Sequence, residues 1–258
     1  MIAIVDYGRG NLGSVERLFG RVGVPAVVTQ EPRVIDEADA VVFPGDGAFH
    51  DSMANLAGLG LMEPVRRALD GRRPFLGICI GYQLLFSTSE EFGEGRGLDV
   101  IPGVVRRFPP ALDVPHMGWN RVWHGGALRL FDGIEDGARF YFVHSYFPVL
   151  DPLSGGSEPH ASRVRPPAAR AGLASPARTP ERRGSDTPDD GPGTPDHGPD
   201  APGYGLAGLA LAWCDYGVRF AAALETGRIY GTQFHPEKSH RAGIRLLENF
   251  AAIVKENR

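Results

Sequence analysis

The first hundred residues alternate short apolar runs with helical patterns, and no other feature restricts the fold as strongly. IAIVD precedes a helical stretch from Asn11 to Val22, and AVVT precedes a polar turn. ADAVVF leads to Met62 to Leu69, with Pro64 near its start, and PFLGIC leads to a helical Tyr82 to Ser87. Successive strands joined through helices return in the same direction, so this order predicts a parallel sheet covered by helices. From Gly103 the pattern turns strand-rich, with GVVRRF, RFYFVHSYF, VRFAAALE and RIYGTQF, before a closing helix from Ser239 to about Lys255. The expected architecture is α/β, a three-layer sandwich with a mostly parallel, mixed central sheet.

With 258 residues the chain can bury one sizeable α/β core. Of its 22 prolines, 11 fall between Pro152 and Pro202, a stretch without Trp, Phe, Tyr or Lys. Such a composition cannot bury enough apolar surface to offset the entropy of ordering. Residues 152–203 therefore read as a disordered surface insertion without chemistry, interrupting a single domain that spans 1–258. A linker between two domains is the competing reading. Only 56 residues follow Pro202, too few for an independent core.

The formal charge is −4, from 27 Lys and Arg against 31 Asp and Glu. No basic field is present to condense onto nucleic acid or an anionic membrane. Two cysteines, Cys79 and Cys214, exclude a disulfide framework and a Cys-rich metal site and suit a reducing, cytoplasmic compartment. MIAIVDYG carries no basic leader, and no stretch approaches the roughly 18 apolar residues of a membrane span. A soluble, untargeted protein is expected.

Gly8-Arg9-Gly10-Asn11-Leu12-Gly13 matches the dinucleotide fingerprint G-x-G-x-x-G between strand and helix, with Glu31 eighteen residues beyond Gly13. A nucleotide-binding oxidoreductase would follow. Against that reading, Asp6 and Tyr7 place a carboxylate and a bulky ring beside the pyrophosphate site, and no substrate domain follows. The alternative is a glycine-rich turn open to a partner or polar ligand.

The second pattern is Gly77-Ile78-Cys79-Ile80-Gly81 between the strand PFLGIC and a helix, a nucleophile elbow with sulfur in place of oxygen. Side chains at either glycine would crowd the sharp turn, and helix N-terminal amides favour a thiolate. A buried core cysteine is the commoner fate of this residue type, and Cys214 in LAWCDYG reads as one. For Cys79 the motif favours chemistry.

A thiolate needs a base and an orienting group, and GTQFHPEK supplies His235 and Glu237. Two residues apart on an extended segment, they would point the same way, the carboxylate holding the ring while its other nitrogen meets the sulfur. Alone, His-x-Glu is as easily a surface turn or half a metal site, but no further ligands stand at metal-site spacing. FPGDGAF after the third strand offers glycine amides for an oxyanion, though P-G and D-G also mark ordinary turns.

Taken together, GICIGYQ, QFHPEKS, FPGDGAF, YFVHSY and PHMGWN resemble the class I (triad-type) glutamine amidotransferases. Within that family the likeness is to the glutaminase subunits of imidazole glycerol phosphate synthases, over residues 1 to about 150 and 205 to 255. The resemblance implies glutamine hydrolysis by Cys79 with His235 and Glu237. The ammonia would pass to a (β/α)₈-barrel cyclase subunit, paired as a heterodimer, that makes imidazole glycerol phosphate in histidine biosynthesis. It implies no metal and no organic cofactor. By motif position it assigns Gly47, Gln83, Glu91, His144, Ser145 and Tyr146 to the glutamine site, and Asn11, Trp119, Tyr141 and Lys238 to the cyclase interface. Each also has a plainer reading: His144 and Tyr146 alternate on a strand like core residues, and Trp119 suits a packing anchor. Three features depart from the family pattern: Asp46 at a usually apolar position, Tyr82 where Met is usual, and the insertion after Leu150. Asp46 is expected to point outward, since a charge beside the oxyanion would oppose thiolate and tetrahedral anion alike.

Overall fold

The computed structural model describes residues 1–70, 72–150 and 209–257. The expected insertion at 152–203 lies outside the described residues. The elements in the first half are β1 (Ile2–Val5), α1 (Leu12–Arg21), β2 (Ala26–Thr29), α2 (Pro32–Glu37), β3 (Ala40–Gly45), α3 (Phe49–Gly58), α4 (Met62–Ala68), β4 (Phe75–Cys79) and α5 (Ile80–Gln83). Then follow β5 (Phe86–Ser89), β6 (Gly95–Arg96), β7 (Ile101–Arg107), β8 (His116–Val122), β9 (Ala138–His144) and β10 (Tyr146–Leu150). The chain closes with β11 (Leu209–Asp215), β12 (Arg219–Thr226), β13 (Ile229–Thr232) and α6 (His240–Glu256).

Seven strands form the central sheet in the order β11-β12-β13-β4-β3-β1-β2. The run from β13 to β2 is parallel, and β12 and β11 continue it antiparallel. This is the expected mixed sheet. Strand side chains alternate between faces, and here both faces are apolar and covered. Ile2, Ile4, Ala40, Val42, Leu76 and Ile78 join one core with Val15 and Phe19 of α1 and Leu247 and Phe250 of α6. Ala3, Val5, Val41, Phe43 and Phe75 join the other with Ile35 of α2, Leu56 of α3 and Val65 of α4. Two filled cores on opposite faces make the three layers. A four-stranded sheet, β10-β7-β5-β6, and an antiparallel ribbon, β8-β9, complete the described fold.

Three local readings need correction, and one further helix, α3, carries no signal in the sequence pattern. The polar turn after AVVT contains α2, which starts on Pro32, a residue whose fixed φ suits the first helical position, and buries only Ile35. With one inward apolar residue, it has no periodic stripe to read. α3 was not anticipated, because Ser52 breaks its buried face between Phe49 and Leu56. The helix expected over Tyr82 to Ser87 ends at Gln83, and Phe86–Ser89 is a strand paired with β7. RFYFVHSYF is two strands in different sheets, divided at Ser145.

Candidate active site

Three neighbouring parallel strands bring the separated motifs to one end of the sheet. In register, Gly45 of β3 lies opposite Cys79 of β4, and Thr232 of β13 lies opposite Ile78. The loops after β3, β4 and β13 therefore emerge side by side at the strands' carboxyl ends, where open α/β sheets place their sites. Cys79 ends β4 at φ 54° and ψ −109°, a conformation that side chains rarely adopt and that costs on the order of 1–3 kcal/mol. The neighbouring glycines permit it: a Cβ at Gly81 would sit 1.7 Å from the Phe43 carbonyl oxygen, and one at Gly77 would sit 2.7 Å from that of Gly81. The elbow is thus crowded by backbone, and its strain points the sulfur out of the strand.

His235 and Glu237 meet as the sequence requires but by another geometry. β13 ends at Thr232, and Pro236–Lys238 is a turn of 3₁₀ helix that folds the carboxylate back beneath the ring, with His235 Nδ1 2.8 Å from Glu237 Oε1. The extended arrangement is corrected: proline at the start of the turn pre-sets the helical φ. Main chain holds the loop, since His235 N–H donates to the Tyr141 carbonyl at 3.0 Å and Ser239 Oγ–H donates to the His235 carbonyl at 2.6 Å. Burial pulls the His235 imidazole towards its neutral form. The Cys79 sulfur and the Glu237 carboxylate outweigh that and raise its pKa to about 10. Nε2 itself is buried, and the Cys79 sulfur is the neighbour that does most to hold the ring charged.

A cavity of about 230 Å³ opens on these groups, and Gly47, Gln83, Glu91, His144, Ser145 and Tyr146 all line it beside Cys79 and His235. Gln83 presents a buried carbonyl oxygen with no partner, ready for a ligand N–H. Glu91 is half committed: its Oε2 accepts the Phe49 N–H at 2.6 Å, at the start of α3, and burial raises its pKa. His144 is held between the Tyr146 carbonyl and His116, and burial lowers its pKa to about 3. Gly47 adopts φ 84°, and the Arg9 guanidinium covers it, held by an ion pair to Asp51 at 3.2 Å. A larger cavity, about 430 Å³, lies between the 124–134 segment and α6 and includes none of the sulfur, imidazole or carboxylate groups that meet at Cys79.

Comparison with known proteins decides the family. The family model described as "Glutamine amidotransferase class-I" matches residues 3–163. The chain belongs to the class I glutamine amidotransferases. A protein of Geobacter sulfurreducens named "Imidazole glycerol phosphate synthase subunit HisH" is 41% identical, over 98% of this chain and 98% of its own length. Proteins of the same name from Moorella thermoacetica and Methanothermobacter thermautotrophicus are each 39% identical, over 98% and 99% of this chain and 95% and 100% of theirs. A solved glutamine amidotransferase superposes with a TM-score of 0.59 at 14% identity, covering 99% of this chain and 100% of its own. Another, from Thermotoga maritima, gives 0.53 at 15%, covering 99% and 84%. At those identities the structures speak for the fold alone.

Two of the three departures from the family pattern, Asp46 and Tyr82, have local explanations in this amidotransferase. Asp46 is exposed and its Oδ1 accepts the Gly10 N–H at 3.0 Å, so it borders the cavity with its charge already engaged. Tyr82 turns away from the cavity: its ring fills the space over Gly231, where a Cβ would lie 2.2 Å away, and its hydroxyl donates to the Ala221 carbonyl at 3.2 Å. The Gly8–Gly13 turn is not set up for pyrophosphate, because Asp6 Oδ1 takes the Gly8 N–H at 2.9 Å and Asp46 takes that of Gly10. Two carboxylates thus occupy a cradle that would need positive charge.

Of the residues assigned to a partner, Trp119 and Tyr141 face each other across the β8-β9 ribbon. Trp119 is 42% exposed and stacks on His240 at 4.9 Å, while Lys238 Nζ lies 5.8 Å above the Tyr141 ring and also borders the cavity. Asn11 is exposed at the start of α1, a helix that contacts the Pro236–Lys238 turn. Two residues beside the site went unassigned from sequence, Gln233 and His116. Both stand inside quoted motifs, but nothing in QFHPEKS or PHMGWN tells a buried polar side chain from a neighbour of the reacting groups. Among the described residues no three His, Cys, Asp or Glu side chains converge on a metal-sized site, and no helix is long and apolar enough to cross a membrane.

Proposed function

We propose that this chain hydrolyses glutamine to glutamate and ammonia through Cys79, His235 and Glu237, and hands the ammonia to a cyclase subunit that makes imidazole glycerol phosphate in histidine biosynthesis. One observation carries the reading: a strained cysteine shares a glutamine-sized cavity with a buried histidine held by a carboxylate at 2.8 Å. The Cys79 sulfur attacks the substrate's side-chain carbonyl, and the oxyanion forms beside the Gly45–Gly47 loop. Protonated His235 gives its proton to the leaving nitrogen, releasing ammonia and leaving a thioester. Water then attacks the thioester, its proton passing to His235 and the thiolate leaving. Glu237 keeps the ring oriented and steadies its charge throughout. Gly47, Gln83, Glu91, His144, Ser145 and Tyr146 hold the substrate.

The partner in this reading is a (β/α)₈-barrel cyclase, docked as a heterodimer on Trp119, Tyr141, Lys238 and Asn11, and the compartment is the cytoplasm. The aromatic pair and the cation beside the cavity mouth suit such a dock. The amidotransferase forms one domain interrupted at 152–203, for Leu150 and Leu209 pack on the same core. The deciding experiment uses the complex with its cyclase. Cys79→Ala should abolish glutamine-dependent synthesis while free ammonia still supports it, because the nucleophile serves only to release ammonia. If ammonia fails to rescue the complex, the assignment is wrong. Titration with NADH should show no binding; saturable binding would restore the nucleotide reading.

A further inference from the structure

A carbonyl oxygen can only accept, and one carbonyl sets the direction of the hydrogen bonds behind the sulfur. The Tyr146 oxygen lies 2.8 Å from His144 Nδ1 and 2.8 Å from Gln83 Nε2, so both nitrogens donate to it. His144 Nε2 is then an acceptor, and His116 Nδ1, 3.0 Å away, donates to it. His116 Nε2 in turn accepts from Asn120 Nδ2 at 3.3 Å, whose other proton goes to the Asp215 carbonyl at 2.9 Å. On the opposite side, the second proton of Gln83 Nε2 meets Gln233 Oε1 at 3.0 Å. That bond consumes the Gln233 oxygen. Its amide nitrogen is left facing Cys79 Sγ at 3.8 Å.

Gln233 is fully buried, and its backbone N–H is bonded to the Ala222 carbonyl at 2.8 Å, so neither end of the residue is free to turn. Flipping its amide would set two N–H groups against each other, and flipping Gln83 to compensate would set its oxygen against that of Tyr146. We propose that Gln233 is a positioning residue of the reaction: locked by Gln83, it aims an amide N–H at the Cys79 sulfur and favours the anionic form that attacks. The inference rests on the glutaminase reading of Cys79. A donor directed at an anion strengthens as charge develops and weakens when the sulfur becomes a neutral thioester. Burial keeps His116 and His144 neutral, in keeping with the donor and acceptor roles that the Tyr146 carbonyl assigns to them.

The test is the pH profile of Cys79 alkylation by iodoacetamide, read by peptide mass mapping on the full chain, for wild type, Gln233→Met and Gln233→Leu. Methionine keeps the length and loses the donor. In both variants the pH of half-maximal alkylation should rise by about one pH unit, with roughly tenfold slower alkylation below the wild-type midpoint and an unchanged plateau. Below the same midpoint, kcat for glutamine should fall about tenfold with KM within about twofold. A Gln233→Met profile that coincides with wild type overturns the proposal, because the residue then only fills space. Should neither variant unfold cooperatively, Gln83→Met carries the alkylation test: it frees the Gln233 amide to rotate, so a raised midpoint supports the proposal and a coincident one overturns it. Cys79→Ala separates the two layers. If that variant still hydrolyses glutamine, the glutaminase reading falls; if it is inactive while Gln233→Met keeps the wild-type profile, only the role of Gln233 falls.

Discussion

Two glycine-rich turns stand at the carboxyl ends of strands in the same sheet, Gly8–Gly13 after β1 and Gly77–Gly81 around the end of β4, and each leads into a helix. They differ in what the backbone is spent on. In the first, positive φ at Gly8 and Gly10 lets two amides turn towards Asp6 and Asp46, and those carboxylates use them up. In the second, the positive φ falls on Cys79 itself, and the glycines on either side let neighbouring backbone close around it. One turn is satisfied internally; the other leaves a reactive side chain at a cavity. Matching letters to a motif does not separate these outcomes, since both sequences fit a known pattern.

The same substitution in each turn gives the sharpest contrast. Gly81→Ala drives a methyl group into the Phe43 carbonyl and should cost more than about 3 kcal/mol, seen as lost soluble yield or a collapse of thermal stability. Gly8→Ala meets only the end of the Asn55 side chain at 3.6 Å, so it should cost the left-handed strain alone, about 1–2 kcal/mol, with glutaminase activity retained. Comparable losses would erase the distinction.

The elbow's chemistry should depend unequally on its two helpers. His235→Ala removes the group that moves the proton and should lower kcat by about 10³-fold or more, whereas Glu237→Gln should leave activity at least about tenfold higher than that, because it only orients and steadies the ring. Single-turnover assays of thioester formation check this, and equal or reversed losses count against both roles.

A smaller effect comes from the wall behind the elbow. Burial holds His116 near 4 and His144 near 3, below the ordinary value of about 6.5. Between those values and pH 6.5 the unfolded chain binds more protons than the folded one. The stability that these two histidines contribute is therefore full above about pH 6.5 and declines as pH falls towards 4. Thermal unfolding from pH 4 to 7 should show a shallower decline in His116→Gln, and an unchanged slope would mean that other groups set the acid limit. Asp6→Asn in the glycine turn should leave that part of the profile as it is.

Much of this protein was legible in the sequence because it depends on local order. Alternating apolar runs specify the parallel sheet, and the two-faced burial of Ile2 to Val5 follows from strand geometry alone. The elbow was readable because a crowded turn admits so few residues, so Gly77, Cys79 and Gly81 announce the conformation they adopt. α2 and α3 were not readable, because their inward faces carry one apolar residue or a broken stripe.

Tertiary structure alone decided who meets whom. Cys79 and Gln233 lie 154 positions apart, and only the pairing of β4 with β13 sets them side by side. Nothing in either segment's own pattern records that meeting. The direction of the amides is more distant still from the sequence: it follows from the single carbonyl of Tyr146, a group every residue possesses, which becomes decisive only because packing sets it between His144 and Gln83.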